Sequence, residues 1–298
     1  MSQIFSWLKR AESERRKSPP DMETERLEIL VQDDSPASET PLEMPLPVIT
    51  PTEIDVIPEG GFDLARADFR VRTVLDPHTV AGEQYRVLRS KLAQMQKERG
   101  IKSLLVTSSV PYEGKTFTAC CLAGVFAQEP GKRVVLIDAD LRKPRVGHAL
   151  GMNGNTPPGG LVQVLRGQQK AEDALVKTRG APLFLLPAGP VPQDPAELLS
   201  SPNMELAIRT LSASFDWVII DSPPVAAMAD AAILAPLVDG VLLVVYQDRT
   251  SAKIIKETIK LLGQKRICGV VLNRGRHLKS SKYYYRYYQK RSDEVLTS

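Results

Sequence analysis

Residues 103–118 read SLLVTSSVPYEGKTFT. An apolar, strand-like run gives way to turn-forming residues, and Gly114-Lys115-Thr116 then opens a helical pattern. Strand, loop and Gly-Lys-Thr at a helix start is the context of a phosphate-binding loop. Successive backbone N–H groups and the positive helix end would face the phosphates. Lys115 would reach the β and γ oxygens, and the Thr116 hydroxyl would ligate Mg²⁺. The strict pattern G-x-x-x-x-G-K-[ST] fails at its first position, where Ser109 stands. The bland alternative is a plain strand-to-helix turn.

The surroundings of this stretch decide the fold. Strand-like runs recur at Arg133–Asp138, Leu183–Leu186, Trp217–Asp221, Gly240–Tyr246 and Ile267–Leu272. Helical patterns lie between them at Lys115–Gln128, Leu161–Arg166, Asn203–Ser214, Asp230–Leu237 and Ser251–Leu262. Such alternation implies right-handed crossovers and a mostly parallel sheet. Runs such as VVLID and VLLVV are continuously apolar, as strands covered on both faces must be. The expectation is an α/β fold of the P-loop NTPase type, with helices on both faces of the sheet. Ahead of it, Val80, Tyr85, Leu88, Leu92 and Met95 recur at helical steps.

The flanks have a different texture. Residues 1–80 hold nine Lys/Arg against sixteen Asp/Glu, although the whole chain of 298 residues carries a net +4. Ile4, Phe5, Trp7 and Leu8 precede a basic cluster from Lys9 to Lys17, an arrangement open to two readings. It is a short amphipathic segment for a partner or an anionic membrane surface, or it is a frayed terminus. Residues 18–60, rich in Pro, Ser, Glu and Thr, read as an acidic extended linker. The division expected is a mostly disordered N-terminal region at 1–77, a P-loop domain at 78–276 and a flexible tail at 277–298. Cys120, Cys121 and Cys268 show no disulfide or metal spacing and read as small core residues of a reducing cytoplasm. No run approaches the ~18 apolar residues of a membrane span, and no secretory signal is expected at the N-terminus.

Chemistry in a parallel sheet collects at the carboxyl ends of strands. RVVLIDADLRKP puts Asp138 and Asp140 at one such end, followed by Arg142 and Lys143. FDWVIIDSPPV puts Asp221 at another, as the carboxylate that orients Mg²⁺. Asn273 ends the last strand, where its amide suits an adenine edge or a turn. The tail carries five of the eight tyrosines, Tyr283, Tyr284, Tyr285, Tyr287 and Tyr288, in a Lys/Arg-rich stretch. Composition leaves two uses open for it: stacking on single-stranded nucleic acid, or accepting phosphate on a tether.

Together, the G-K-T loop, D-A-D-L-R, D-S-P-P and the terminal tyrosines resemble the bacterial tyrosine kinases of capsular and exopolysaccharide biosynthesis. The resemblance covers about residues 80–290 and extends to EQYRVLR and to LPAGPVPQDPAELLSSP at 186–202. It implies a Mg-ATP-dependent protein tyrosine autokinase. Catalysis would rest on Lys115, Asp138, Asp140 and Asp221, with Asp138 as base for the tyrosine hydroxyl. Val110, Pro111, Tyr112, Glu113, Gly114, Lys115, Thr116, Phe117, Arg142 and Asn273 would bind ATP. Thr116, Asp140 and Asp221 would hold Mg²⁺. Tyr283, Tyr284, Tyr285, Tyr287 and Tyr288 would be autophosphorylated. Glu83 would meet Arg86 and Arg89 of the next subunit in a ring. The implied partners are a membrane polysaccharide co-polymerase as activator and a cognate tyrosine phosphatase, with no nucleic acid. The implied location is cytoplasmic, at the inner face of the membrane through the activator.

One departure is Tyr112, where the family commonly has Gly or Ser. If the backbone there needs positive φ, a tyrosine is strained; its ring would instead project outward and cover the nucleotide, or itself be modified. Two further alternatives remain: a Mrp/MinD/ParA-like ATPase, and a nucleotide-dependent scaffold without kinase activity. Such ATPases carry an extra lysine early in the loop, and none precedes Lys115 in SVPYEGKT.

Overall fold

The structure, a computed structural model, describes residues 28–31, 62–152 and 159–274. In chain order its strands are β1 (Glu28–Val31), β2 (Ser103–Ser108), β3 (Val134–Asp138), β4 (Val176–Lys177), β5 (Leu183–Leu186), β6 (Trp217–Asp221), β7 (Gly240–Tyr246) and β8 (Ile267–Asn273). They form one sheet in the order β1-β8-β7-β2-β6-β3-β5-β4. The inner strands pair in parallel, and only the edge pairs β1/β8 and β4/β5 are antiparallel.

The helices are α1 (Phe69–Leu75), α2 (Val80–Arg99), α3 (Lys115–Ala127), α4 (Val146–Ala149), α5 (Leu161–Leu165), α6 (Pro195–Leu199), α7 (Pro202–Ser214), α8 (Asp230–Leu234) and α9 (Ala252–Leu262). Side chains of a strand alternate between its faces, so the sheet separates two cores. Leu104, Val106, Leu136 and Ile219 pack with buried residues of α1, α2 and α3. Leu105, Val135, Val218 and Ile220 pack with α5 to α9. Every residue of β2, β3, β6 and β8 is buried, which explains their unbroken apolar runs.

Two helices set the frame around Lys115. In α2, Tyr85, Leu88, Leu92 and Met95 are buried as the periodicity requires, whereas Val80 is exposed. The Thr79 hydroxyl caps α2 by accepting from Gly82 N–H, and Gly100 ends it at φ 71°. In α3, Phe126 stacks on Trp217 of β6 with ring centroids 4.3 Å apart. That contact fixes α3, and hence Lys115, against the strand that carries Asp221. Truncating a buried Trp to Ala typically costs about 3–5 kcal/mol.

The folded body begins earlier than residue 78. Val71 and Val74 of α1 are buried, and Phe62 O accepts from Arg179 N–H and the Thr178 hydroxyl. A seven-residue helix whose Phe69 stands 67% exposed leaves little periodic signal. Within the stretch read as linker, Glu28–Val31 adds an antiparallel strand to β8. Residues 1–17 and the tail at 277–298 lie outside the described residues. Among the described residues, no helix is long and apolar enough to cross a membrane.

Candidate active site

β2, β3, β6, β7 and β8 end on one rim, and each contributes there. The loop from Ser109 to Gly114 joins β2 to α3. Glu113 holds it from beneath. This carboxylate is 2% exposed, and its Oε2 accepts from Val110 N–H at 2.8 Å. Its Oε1 accepts from Tyr246 N–H at 3.0 Å and from the Thr250 hydroxyl. Asn273 Nδ2 donates to Glu113 O at 2.9 Å, and Asn273 Oδ1 accepts from Arg274 N–H at 2.9 Å. Gly114 is doubly required: its φ is 93°, and a Cβ there would lie 2.0 Å from Asn273 Nδ2.

Ser109 fits in place of glycine because its backbone is not left-handed; among the described non-glycine residues only Tyr112, Asp248 and Arg274 have positive φ. Tyr112, at φ 69°, meets the condition under which its side chain is strained, by about 1–2 kcal/mol. Its side chain projects outward, 79% exposed.

Lys115 Nζ donates to Asp140 Oδ2 at 2.8 Å and to Thr116 Oγ1 at 3.2 Å, and lies 3.8 Å from Asp221 Oδ1. Burial disfavours its charge, but Asp221 and Asp140 outweigh burial and hold its pKa above the ordinary value. Asp138 and Asp221 are direct partners in the β3/β6 register. Burial pushes Asp138 up to about 8, with the Asp221 charge adding to the rise. Burial pushes Asp221 up to about 6, with Lys115 opposing. Asp138 Oδ2 accepts from Arg145 N–H at 3.1 Å and Val146 N–H at 3.0 Å, and its Oδ1 accepts from Asp140 N–H at 3.3 Å. Both oxygens of Asp221 are buried without a hydrogen-bond partner.

Those orphaned oxygens fit a cation. Asp221, Thr116 and Asp140 offer hard oxygen donors of the kind Mg²⁺ takes. Among the described residues no His, Cys, Asp or Glu cluster forms a metal cage by itself. Mg²⁺ needs none, since it shares one or two carboxylates with substrate phosphates and waters.

Several expected site residues serve the scaffold. The Asn273 amide, expected to suit an adenine edge or a turn, holds the Glu113 carbonyl of the loop between β2 and α3. Arg142 forms a two-point ion pair with fully buried Asp230, at 2.9 and 3.0 Å, tying the loop after β3 to α8. The Phe117 ring packs edge-on to Tyr85, with the Arg70 guanidinium 5.7 Å from its centroid, so any share it has in the phosphate cradle lies in its backbone. Val110 and Pro111 lie in the loop itself. Sequence reasoning missed Thr250, Tyr246 and Asp230. Asp230 starts a recognised helical pattern, but no local signal pairs it with Arg142.

On α2, Arg86 binds Glu83 within the chain at 2.8 Å and Pro77 O at 2.7 Å. Arg89 donates to Val125 O at 2.9 Å. The five tail tyrosines lie outside the described residues.

A family model described as an AAA domain matches residues 113–266. Tyrosine-protein kinase YwqD of Bacillus subtilis (strain 168) is 37% identical over 223 residues, which is 74% of this chain and 92% of that protein. This chain belongs to the bacterial tyrosine kinase family. The kinase domain of Escherichia coli tyrosine kinase ETK superposes with a TM-score of 0.63 at 31% identity, covering 70% of this chain and 82% of that one. Succinoglycan biosynthesis transport protein ExoP of Rhizobium meliloti (strain 1021) is 32% identical over 209 residues; the match spans 68% of this chain and 26% of that protein. The P-loop kinase fold expected from the sequence is the fold of this family.

Proposed function

We propose that the chain is a Mg-ATP-dependent protein tyrosine autokinase of polysaccharide assembly. The observation that carries this is the open Asp221 carboxylate beside Lys115, at the foot of a clamped phosphate loop. Lys115 would exchange Asp140 for the β and γ oxygens. Thr116 and Asp221 would hold Mg²⁺, with Asp140 assisting; the cation would neutralise charge developing on the transferring phosphoryl group. Asp138, raised to about 8, is poised near neutrality as the acceptor of the phenolic proton. Backbone N–H groups at Arg145, Val146 and Asp140 keep it aimed.

The acceptors we assign are Tyr283, Tyr284, Tyr285, Tyr287 and Tyr288 of a neighbouring copy. Residues 274–291 carry seven Lys/Arg and no Asp/Glu. Each phosphate adds about −1.5 to −2, so several reverse the sign of the tail and release it. Glu83 would leave Arg86 to reach the next subunit, closing a ring. A membrane co-polymerase would act as activator at the inner membrane face, and a tyrosine phosphatase would reset the tail. Incubation with Mg-ATP, with and without the activator's cytoplasmic fragment, should put phosphotyrosine on the tail by mass spectrometry. Its absence from both preparations, with bound ATP demonstrated, would overturn the reading.

The strained Tyr112 favours a second reading, a nucleotide-dependent scaffold without kinase activity. It requires ATP binding without phosphotransfer, and Tyr112→Gly should then restore labelling.

A further inference from the structure

Tyr112 contrasts with Glu113, the next residue of the loop. Glu113 beside it is buried and bound by Val110, Tyr246 and Thr250. Tyr112 is 79% exposed, and neither its phenol nor its ring has a partner among the described residues. Its backbone nevertheless occupies the left-handed region at φ 69°. Strain that no packing repays points to a use outside the folded core. Of the positive groups nearby, Lys115 pairs with Asp140 and Asp221, and Arg142 with Asp230.

We infer that Tyr112 is a phosphoacceptor, modified by a second copy of this chain, and that phosphate there shuts the nucleotide site. This rests on the tyrosine-kinase reading. The loop that carries Tyr112 cradles the phosphates, while in-line attack must come from the face opposite the leaving group. A phenol rooted in the cradle cannot reach that face of its own nucleotide, so the ATP belongs to the second copy. The Tyr112 oxygen attacks the γ-phosphorus, and the bond to the β-bridging oxygen breaks as the new O–P bond forms. ADP departs, and the phenolic proton passes to a carboxylate of the second copy and then to water. The product adds about −1.5 to −2 of charge at the loop rim. That charge faces the like charge of an incoming triphosphate and weakens its binding.

The test mixes wild-type chain with the Lys115→Ala variant and Mg-ATP. Losing Lys115 removes a tryptic site, so the acceptor's peptide runs from Ser103 to Lys132 instead of ending at Lys115. Lys115→Met gives the same tag should the alanine variant fold poorly. Phosphate on Tyr112 in the long peptide is the expected result. A second arm uses chain with Tyr283, Tyr284, Tyr285, Tyr287 and Tyr288 all changed to Phe. After incubation with Mg-ATP and desalting, it should bind a fluorescent ATP analogue about tenfold more weakly than after tyrosine-phosphatase treatment. Adding Tyr112→Phe should abolish that difference. Labelled tails with bare Tyr112 in both peptides overturn this inference and leave the kinase reading standing. Phosphate confined to the short peptide overturns transfer between copies. Affinity unchanged by phosphatase overturns the shut-off, and no label at either place overturns both readings.

Discussion

The tips of β3 and β6 end in the same residue type, in register and equally out of reach of solvent, yet they are built differently. Asp138 receives three backbone N–H groups, while Asp221 receives none. A buried carboxylate without hydrogen bonds costs free energy in the folded chain. A chain that leaves one so, beside another it fully satisfies, has divided two tasks. Under the proposed function the satisfied one would be held in position and the open one would receive the cation.

Asp221→Asn should break the contrast most severely. We expect a loss of about 10³-fold in phosphotransfer, partly recovered by excess Mg²⁺, because preorganised electrostatic groups carry effects of this size. Asp138→Asn should lower the rate by about 10²-fold, the low end for a general base, with the Mg²⁺ dependence nearly unchanged. Initial rates across a Mg²⁺ titration separate the two. If Asp138→Asn shifts the Mg²⁺ dependence and Asp221→Asn does not, the roles are reversed.

Acidity sharpens the comparison without nucleotide. Both carboxyl groups are raised from the ordinary 3.8, to about 8 at Asp138 and about 6 at Asp221. A raised pKa means that the folded state favours the protonated form. Each group's contribution to stability is therefore complete below pH 3.8 and is lost as pH rises through its folded value. Metal-free wild type should thus lose melting temperature between about pH 6 and 8, where of the two only Asp138 still titrates, and Asp221→Asn should do so less steeply because the charge that adds to the rise at Asp138 is gone. Asp138→Asn should be flatter over that window. Thermal melts in chelator with parallel slopes for all three would remove the basis for distinguishing the two groups.

The smallest effect concerns the loop above both carboxylates. Asn273→Ala removes one hydrogen bond to Glu113 O and one from Arg274 N–H. We expect about 1 kcal/mol less stability by denaturant titration and a several-fold loss in ATP affinity by calorimetry, with the Mg²⁺ dependence retained.

Much of this was legible in the order of residues. Six strands, including the three that end in Ser108, Asp138 and Asp221, announce themselves because strands covered on both faces cannot hide among polar ones. Lys115 and the acidic tips follow from their places at strand ends. The edge strands β1 and β4 and the short helices α1, α4 and α6 escaped; runs of two to seven residues carry little periodicity, and of the helices this short only α5 and α8 were read. The partners of Asn273, Arg142 and Glu113 escaped for another reason. Their contacts join positions 160, 88 and 133 residues apart, and nothing local selects Asp230 or Tyr246 over other residues. Asn273 shows the consequence: its amide ties Glu113 to Arg274, a link that no local pattern announces.

That amide leaves a mechanical legacy. One end grips the carbonyl of Glu113, and the other grips the backbone of Arg274, where the route toward the tyrosine-bearing terminus begins. A shift of the Arg274 backbone and a shift of the loop at Glu113 therefore meet in one side chain.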